Sequence, residues 1–412
     1  MNSNTKNFLQ RWFYYYFLIY AVKHTVFLEI SYSLKQKYDS WLSFFYNSTF
    51  HKGLGFSFYV QSQEAGLPDS LTSFFEIFLL ALSTLFLALY FQSKDKEWKN
   101  KIFEIKWIEF ITKIYFSYHM FIYGTHKILP VQFSELTLFE LVKPLGEFSP
   151  GNLLWAFMGF SVTYQIISGC VEVTAGLLIH IPRFTQLASL LGLIVMSNVL
   201  MLNFFYDVTV KSWSFHLLIV ALMTFLKQRH FWFTFLTGMP PAKFKQPVPL
   251  LKTEKNNVLF SKIIFLCLLL IIGFEFYRMW PRYIKQTTYA LTTSFYGLWS
   301  LTKEDKIQFN LKWKRFIFSE PGYLFIQKDN DTFLRMTILK KEKPDSFQYE
   351  VEDYADQKFK SGVNIKQTDD YLFVSGEIDS QDIDLKLSKE PIPKTVLLSR
   401  GFHLINEDWF GR

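Results

Sequence analysis

Long apolar stretches separated by charged connections dominate the first two thirds of the chain. Seven of these stretches approach the roughly 20 residues that a helix needs to cross the hydrocarbon of a bilayer. They are Trp12–Tyr32, Leu71–Gln92, Trp107–Leu129, Leu153–Ile179, Phe184–Phe205, Trp213–Leu226 and Leu259–Trp280. The sixth is short, and the first carries Lys23, His24 and Glu29. The pattern predicts an α-helical polytopic membrane bundle of about seven transmembrane helices.

Beyond Pro281 the pattern changes to short segments in which apolar and polar residues alternate. Examples are Leu334–Ile338, Phe347–Val351 and Ile383–Leu387. A period of two is typical of strands with one buried face, and intervening clusters such as Glu320–Gly322 indicate hairpin turns. About eight such strands predict a C-terminal antiparallel all-β domain, either a barrel or a sandwich.

These patterns divide the chain into five parts. They are an N-terminal pair of transmembrane helices with an outer loop (1–106), a four-helix membrane unit (107–227), a basic cytoplasmic linker (228–258), a seventh transmembrane helix (259–280) and an extracytoplasmic β domain (287–412). The linker contains Pro240, Pro241, Pro247 and Pro249. Prolines at this density favour a non-helical connection.

Lysine and arginine are concentrated in alternate connections. The connections around residues 94–106 and 227–262 are rich in lysine, whereas those around 34–70, 130–151 and 206–212 carry few basic residues. The positive-inside rule therefore predicts a multi-pass protein with a cytoplasmic N-terminus and a periplasmic or extracellular C-terminal domain. The formal net charge of +8 follows from this asymmetry, so it does not indicate a nucleic-acid partner.

Ionisable and polar residues lie inside the apolar stretches, where a bare charge costs roughly 2.5–3.5 kcal/mol on insertion scales. Such residues usually face a bundle interior, so we predict a polar intramembrane pocket. Its candidate residues are His119, Tyr123, His126, Lys127, Glu172, Asn203, Asp207, Lys211 and His216. The first three share one helical face by their spacing. Depth along the third and fourth stretches also predicts an inner ion pair between Lys113 and Glu172.

These residues also have a purely structural interpretation. A lysine near the interface, such as Lys127 or Lys211, can extend its ammonium group to the lipid headgroups. Asp207 and Lys211 can simply close an outer turn. Histidines in apolar helices usually hydrogen-bond a neighbour, and His119 and His126 are two turns apart, so no metal site is predicted.

The sequence motifs of soluble enzymes are absent. The chain has no phosphate-binding glycine loop, no His-Glu-x-x-His and no Gly-x-Ser-x-Gly. Its two cysteines, Cys170 and Cys267, form no Cys-x-x-Cys, so neither a dithiol redox centre nor a zinc ribbon is predicted. No catalytic residue is therefore assigned, and whether the chain is an enzyme stays open.

The β domain opens with Gly297-Leu298-Trp299. A Gly-x-Trp at this position resembles the first strand of lipocalin-type barrels, and Arg400 is placed to match the arginine that packs over the tryptophan in that family. The resemblance implies a small barrel that holds an apolar ligand, since eight strands enclose room for one. The alternative is a closed domain, filled by its own side chains, that anchors or assembles the protein.

Three groups of residues fall between Tyr118 and Leu226. They are Tyr123-Gly124-x-x-Lys127-x-x-Pro130-x-Gln132-Phe133, then Gly169-x-x-Glu172-x-x-x-Gly176-Leu177-Leu178 followed by Arg183, and Asn203-Phe204-x-Tyr206-Asp207-Val208-x-Val210-Lys211. This segment, about a quarter of the chain, resembles the DoxX-like family of membrane proteins. The resemblance implies a four-helix bundle and, in some relatives, a role beside quinone-linked oxidation of sulfur compounds. It also implies that Lys127, Glu172, Asp207 and Lys211 belong to a pocket or scaffold.

Three functional hypotheses follow. The first is a protein that binds a quinone or another amphipathic lipid in the polar pocket and serves a membrane-linked redox process with a partner; if enzymatic, it is a quinone-linked oxidoreductase subunit. The second is a non-catalytic envelope scaffold, or a lipid- or protein-binding factor, that acts through its outer β domain. The third is a quinol-dependent enzyme with Lys127 as the base, by similarity of architecture to vitamin K-dependent carboxylases. Membrane lipid and a redox or envelope protein are the expected partners, and quinone is the candidate cofactor.

Overall fold

The computed structural model describes residues 3–26, 32–54, 69–94, 102–227, 229–238, 250–251, 253–302, 311–343, 346–352, 358–368, 370–378, 381–392, 395 and 397. The helices are α1 (Ser3–Val26), α2 (Tyr32–Tyr46), α3 (Lys52–Leu54), α4 (Leu71–Lys94), α5 (Ile102–Ile128), α6 (Leu138–Val142), α7 (Pro150–Phe160), α8 (Val162–Leu178), α9 (Thr185–Phe205), α10 (Lys211–Lys227), α11 (Arg229–Thr237) and α12 (Glu254–Thr292). The strands are β1 (Gly297–Leu301), β2 (Trp313–Phe318), β3 (Tyr323–Lys328), β4 (Phe333–Lys343), β5 (Ser346–Glu352), β6 (Lys358–Gln367), β7 (Tyr371–Ile378) and β8 (Gln381–Glu390).

The chain forms two compact units. The helical unit comprises Met1–Leu129 and Thr163–Met279, and the barrel unit comprises Pro130–Val162 and Trp280–Arg412. The segment between α5 and α8 therefore belongs with the strands and not with the helices that flank it in sequence. Of the linker predicted at 228–258, residues 228, 239–249 and 252 lie outside the described residues. Helix α11 and the start of α12 occupy much of the remainder, so the prediction of a non-helical connection is wrong there.

Three helices of the described chain are long and apolar enough to cross a membrane, namely α4, α9 and residues 255–292 of α12. Helices α7 and α8 are bent by 96° at their junction and add a fourth if the pair is one span. These spans mark the chain as a membrane protein, but they are fewer than the seven predicted. Helices α1, α5 and α10 form at the other predicted positions. Charged residues in α1 and α5, and the 17-residue length of α10, leave these three short of an apolar span.

The most apolar helices of the helical unit are also the most exposed. Only 17% of the apolar stretch of α4, 28% of that of α9 and 6% of that of α12 is buried within the chain. Helix α5, by contrast, buries Tyr115, Phe116, Met120 and Phe121 almost completely, three of them in a cluster with residues of α1, α9 and α10. Apolar surface on the outside and a charge-bearing helix in the centre is the arrangement expected when hydrocarbon is the solvent.

The eight strands form a barrel. Each strand pairs antiparallel with the next, and β1 also pairs with β8, so the sheet closes on itself. The prediction of an antiparallel all-β domain is confirmed, and closure decides for a barrel over a sandwich. Arg400 lies outside the described residues.

Side chains fill the described part of the barrel interior. On β1, Trp299 and Leu301 point into the interior cluster, whereas Leu298 faces a separate cluster on the outside, as a period of two requires. Side chains from β2, β3, β4, β6, β7 and β8 complete the interior cluster, and each is at most 7% exposed. An eight-stranded barrel is just wide enough for its own side chains to fill it, and the described part of this interior follows that rule.

Helix α6 packs on the outer face of the barrel. It begins at Thr137, which forms a capping box with Glu140. Leu138 is buried among outward-facing residues of β1, β2, β3 and β4. Phe139 stacks on Phe325, with ring centroids 4.0 Å apart and planes at 13°. The outer face of β1–β4 carries apolar residues because α6 covers them.

Candidate functional site

Helices α5 and α8 approach each other through glycines. A Cβ at Gly124 would lie 2.6 Å from Val173 Cγ2 and 2.7 Å from the Gly169 carbonyl oxygen, and a Cβ at Gly169 would lie 2.5 Å from the Gly124 oxygen. Neither position can carry a side chain unless the helices separate. Further along, the Ser117 hydroxyl donates to the Gly176 carbonyl at 2.7 Å. Small residues thus set the distance between these helices, as in many membrane helix pairs.

A buried ion pair lies at this helix contact. The Lys127 ammonium group donates a short hydrogen bond to Glu172 Oε1. Lys127 is 5% exposed and Glu172 is 1% exposed, so both charges are shielded from lipid and from water. Pairing converts two bare charges into a neutral, hydrogen-bonded unit, which lowers the cost of carrying them on buried helices.

The predicted ion pair between Lys113 and Glu172 is wrong. The contacts between α5 and α8 place Glu172 beside Lys127, whereas Lys113 lies close enough to His180 for its charge to act on the imidazole. A fourth apolar stretch that ran as one straight span would bring Glu172 to the level of Lys113. The close contact between Gly124 on α5 and Gly169 on α8 instead brings Glu172 beside Lys127.

Glu172 Oε2, Tyr123 Oη and His119 Nε2 are among the buried polar atoms that have no hydrogen-bond partner in the described part of the chain. Tyr123 is one turn before Lys127 on α5 and near enough to Glu172 for the carboxylate charge to act on its hydroxyl. The ring centroids of Tyr123 and His119 are 6.4 Å apart. We call His119, Tyr123, Lys127 and Glu172 the polar centre. They are four of the nine predicted pocket residues. A buried polar group without a partner costs about 1–3 kcal/mol. A bound molecule that forms hydrogen bonds with these atoms would remove that cost.

His216 on α10 is held in a stack of tyrosine rings from α1. Its ring centroid lies 3.7 Å from that of Tyr20 and 5.7 Å from that of Tyr16. Its Nδ1 lies 2.7 Å from the Ser212 carbonyl oxygen, and its Nε2 lies 2.6 Å from Tyr16 Oη. A carbonyl only accepts, so Nδ1 donates to Ser212 and the Tyr16 hydroxyl donates to Nε2. Both ring nitrogens of this predicted pocket residue are therefore occupied by the protein itself.

The predicted residues at the turn between α9 and α10 make local contacts. Asp207 has a φ of +50°, its side chain is 85% exposed, and its carboxylate lies 2.9 Å from Lys211 Nζ. The structural interpretation of this pair, closure of a turn, is confirmed. Asn203 Nδ2 donates to Ser214 Oγ at 3.0 Å and so links α9 to α10.

Asp69, which the sequence analysis did not single out, holds the start of α10. Its carboxylate accepts from the backbone N–H groups of Val210 at 2.6 Å, Lys211 at 2.5 Å and Ser212 at 2.9 Å. Burial raises the pKa of Asp69, but the bonds from Ser212, Lys211 and Val210 outweigh burial and leave that pKa below its ordinary value. Sequence patterns give no signal that an aspartate caps a helix that begins 142 residues later.

His126 faces an acidic residue of α12. Its Nε2 lies 3.9 Å from Glu275 Oε2, which also accepts from Arg278 Nη2 at 2.6 Å. The Glu275 side chain is buried. Like the Glu172 carboxylate, its carboxylate is paired with a cationic side chain, here that of Arg278. His126 therefore belongs to a contact between α5 and α12.

A cavity of about 310 Å³ lies between α1 and α4 near the start of α5. It is lined by Tyr15, Leu18, Ile19, Leu87, Phe91 and Glu104. Glu104 and Tyr123 are 19 residues apart on α5, which is about 28 Å at 1.5 Å per residue. The cavity is therefore distinct from the polar centre.

In the barrel unit two carboxyl groups meet at Thr137. The Thr137 hydroxyl oxygen lies 3.3 Å from Glu140 Oε2 and 3.3 Å from Glu320 Oε1. Burial raises the pKa of both glutamates, and the charge of Glu140 raises the pKa of Glu320 further, while Arg335 opposes the rise. Since both pKa values are raised on folding, this contact contributes most below the ordinary glutamate pKa. That contribution is lost as the pH rises through the raised values.

Comparison with known proteins adds one similarity. The chain is 27% identical over 114 residues to the uncharacterized protein YwoB of Bacillus subtilis (strain 168), an alignment that covers 27% of this chain and 70% of YwoB. No protein-family profile matches the chain. No solved structure matches it either. The functional assignment therefore depends on the geometry of the polar centre.

Proposed function

We propose that this protein binds the polar head of a quinone-type amphipathic molecule in the polar centre and serves a membrane-linked redox process with a protein partner. The observation that carries the proposal is that Glu172 Oε2, Tyr123 Oη and His119 Nε2 are buried without a hydrogen-bond partner among the described residues. Buried polar atoms in proteins are almost always hydrogen-bonded. In a bundle whose outer surface is apolar, a bound polar head is a natural source of the missing bonds.

The chemistry of the polar centre suits a neutral head group with carbonyl or hydroxyl oxygens. Lys127 and Glu172 cancel each other's charge, so they offer no net attraction to an ionic head. The Tyr123 hydroxyl can donate to a carbonyl, as in a quinone, and Glu172 Oε2 can accept from a hydroxyl, as in a quinol. Cys170 and Cys267 are free and lie on different helices, so the electrons of the redox step are assigned to a partner.

The predicted topology is part of this proposal. Helices α4, α9 and α12, the bent pair α7–α8, and the more polar α1, α5 and α10 together supply seven crossings. The packing of α6 on the barrel supports a common side of the membrane for residues 130–149 and the β domain. The distribution of lysine and arginine supports a location of that side outside the cytoplasm. The resemblance of Tyr118–Leu226 to the DoxX-like family is consistent with the same role.

The test is to purify the full chain in a mild detergent and to measure co-purified quinones by extraction and mass spectrometry. Tyr123→Phe removes one hydroxyl and keeps the ring, and loss of one net hydrogen bond lowers bound quinone about fivefold. Tyr277→Phe, at an exposed position of α12, is the matched control and leaves it unchanged. The proposal fails if no quinone co-purifies from quinone-supplemented membranes, or if both variants lose it equally.

A second candidate, a non-catalytic envelope scaffold, is favoured by one observation, the side-chain-filled barrel with α6 docked on its outer face. In that case Glu172→Gln lowers the amount of protein in the membrane, and Tyr123→Phe does not change the amount of co-purified quinone. The third hypothesis, a carboxylase-like enzyme, needs Lys127 as a free base. Because the Lys127 ammonium group donates to Glu172, it is not placed to accept a proton, and we do not extend that hypothesis.

A further inference from the structure

Helix α11 is too short to cross a membrane, yet it exposes large apolar side chains. It has nine residues, Arg229–Thr237, whereas a span needs about 20. Phe233 is 58% exposed and Leu236 is 77% exposed. Trp232 packs in the other direction, with its ring centroid 5.3 Å from that of Phe225 on α10. One side of α11 is thus fixed to the end of α10, and large apolar residues remain uncovered.

The chain around α11 is uniformly basic. Between Lys227 and Thr253 the sequence contains no aspartate or glutamate, and its cationic residues are Lys227, Arg229, Lys243, Lys245 and Lys252. Lys227 forms an ion pair with Glu109 on α5. The other four basic residues have no acidic residue near them in the sequence. Gly238, with a φ of +66°, ends the helix, and Pro240 and Pro241 prevent it from continuing.

We propose that α11 lies along the headgroup region of the bilayer and docks on anionic phospholipid. In this arrangement Phe233 and Leu236 enter the boundary between headgroups and acyl chains. The positive charge of the linker sequence favours a negatively charged surface. A short helix with exposed aromatic and aliphatic residues beside basic residues is the usual form of an interfacial anchor. Anionic lipid is the partner because each basic residue near an anionic surface favours docking about fivefold, whereas a zwitterionic surface gives no such gain. This inference is independent of the proposed ligand in the polar centre.

The test places an environment-sensitive fluorophore on Thr237, an exposed residue at the end of α11, in the full chain. The variant is Thr237→Cys in a Cys170→Ser, Cys267→Ser background, reconstituted in phosphatidylcholine alone or in an equimolar mixture with phosphatidylglycerol. Glu377→Cys, at an exposed position of β7 on the barrel, is the matched control. Lipids brominated at shallow or deep acyl positions report the depth of the label.

We expect a blue shift and quenching by shallow bromines in the mixed membrane. Both effects weaken in phosphatidylcholine alone and at high salt, and the control label stays in water. Replacement of Lys243, Lys245 and Lys252 by glutamine removes the difference between the two membranes; a monodisperse elution profile shows that this variant is folded. A label in water in both membranes overturns the inference. So does an equal response in both membranes or quenching by the deep bromines alone.

Discussion

The buried pair of Lys127 and Glu172 gives the sharpest quantitative prediction. Removing one partner of a buried ion pair leaves an uncompensated charge and costs about 3–5 kcal/mol, whereas replacing both with apolar residues is close to neutral. Lys127→Met and Glu172→Leu are each expected to lower the thermal midpoint by about 6–20 °C, since a unit of this size loses about 2–4 °C per kcal/mol. The double variant is expected to recover most of that loss.

The assay is thermal unfolding of the full chain in one detergent, with the four proteins of the double-mutant cycle measured side by side. The exposed pair of Asp207 and Lys211 provides a matched cycle, Asp207→Leu with Lys211→Met, whose coupling should stay below about 1 kcal/mol. If the two buried substitutions add without coupling, or if each costs as little as the surface pair, Lys127 and Glu172 do not form the contact described above.

Three further predictions concern other contacts. The unfolding midpoint of the wild type should fall as the pH rises above the ordinary glutamate pKa, and Glu320→Gln should make this fall smaller. The control Glu377→Gln should show the same fall as the wild type. Equal slopes in the two variants refute the contact. Gly169→Ala should destabilise the protein by about 1–3 kcal/mol in denaturation experiments because its Cβ meets backbone, whereas Gly273→Ala, which meets nothing, should be neutral or stabilising. Asp69→Ala should cost about 2 kcal/mol and speed amide exchange at the start of α10, and unchanged exchange there would contradict the capping role.

The elements of this protein were largely determined by its sequence. The apolar runs of α4, α9 and α12 are long enough to form spans by themselves, and the alternation along β1 places Trp299 inside the barrel and Leu298 outside. These features follow from local periodicity, because a helix repeats every 3.6 residues and a strand every two. The Asp207–Lys211 turn could be foreseen for the same reason, since its residues are four apart.

The partners of the polar residues were decided by the tertiary structure. Glu172 pairs with Lys127 and not with Lys113 because the close approach of α5 and α8 at Gly124 and Gly169 brings these parts of the two helices together. Tyr16 and His216 are 200 residues apart in sequence, and Asp69 caps a helix that begins 142 residues later. Periodicity tells which face of an element is buried, but it carries no information about the register between elements. Register is set by the close packing of side chains and backbone across the fold, and the composition of the polar centre depends on it.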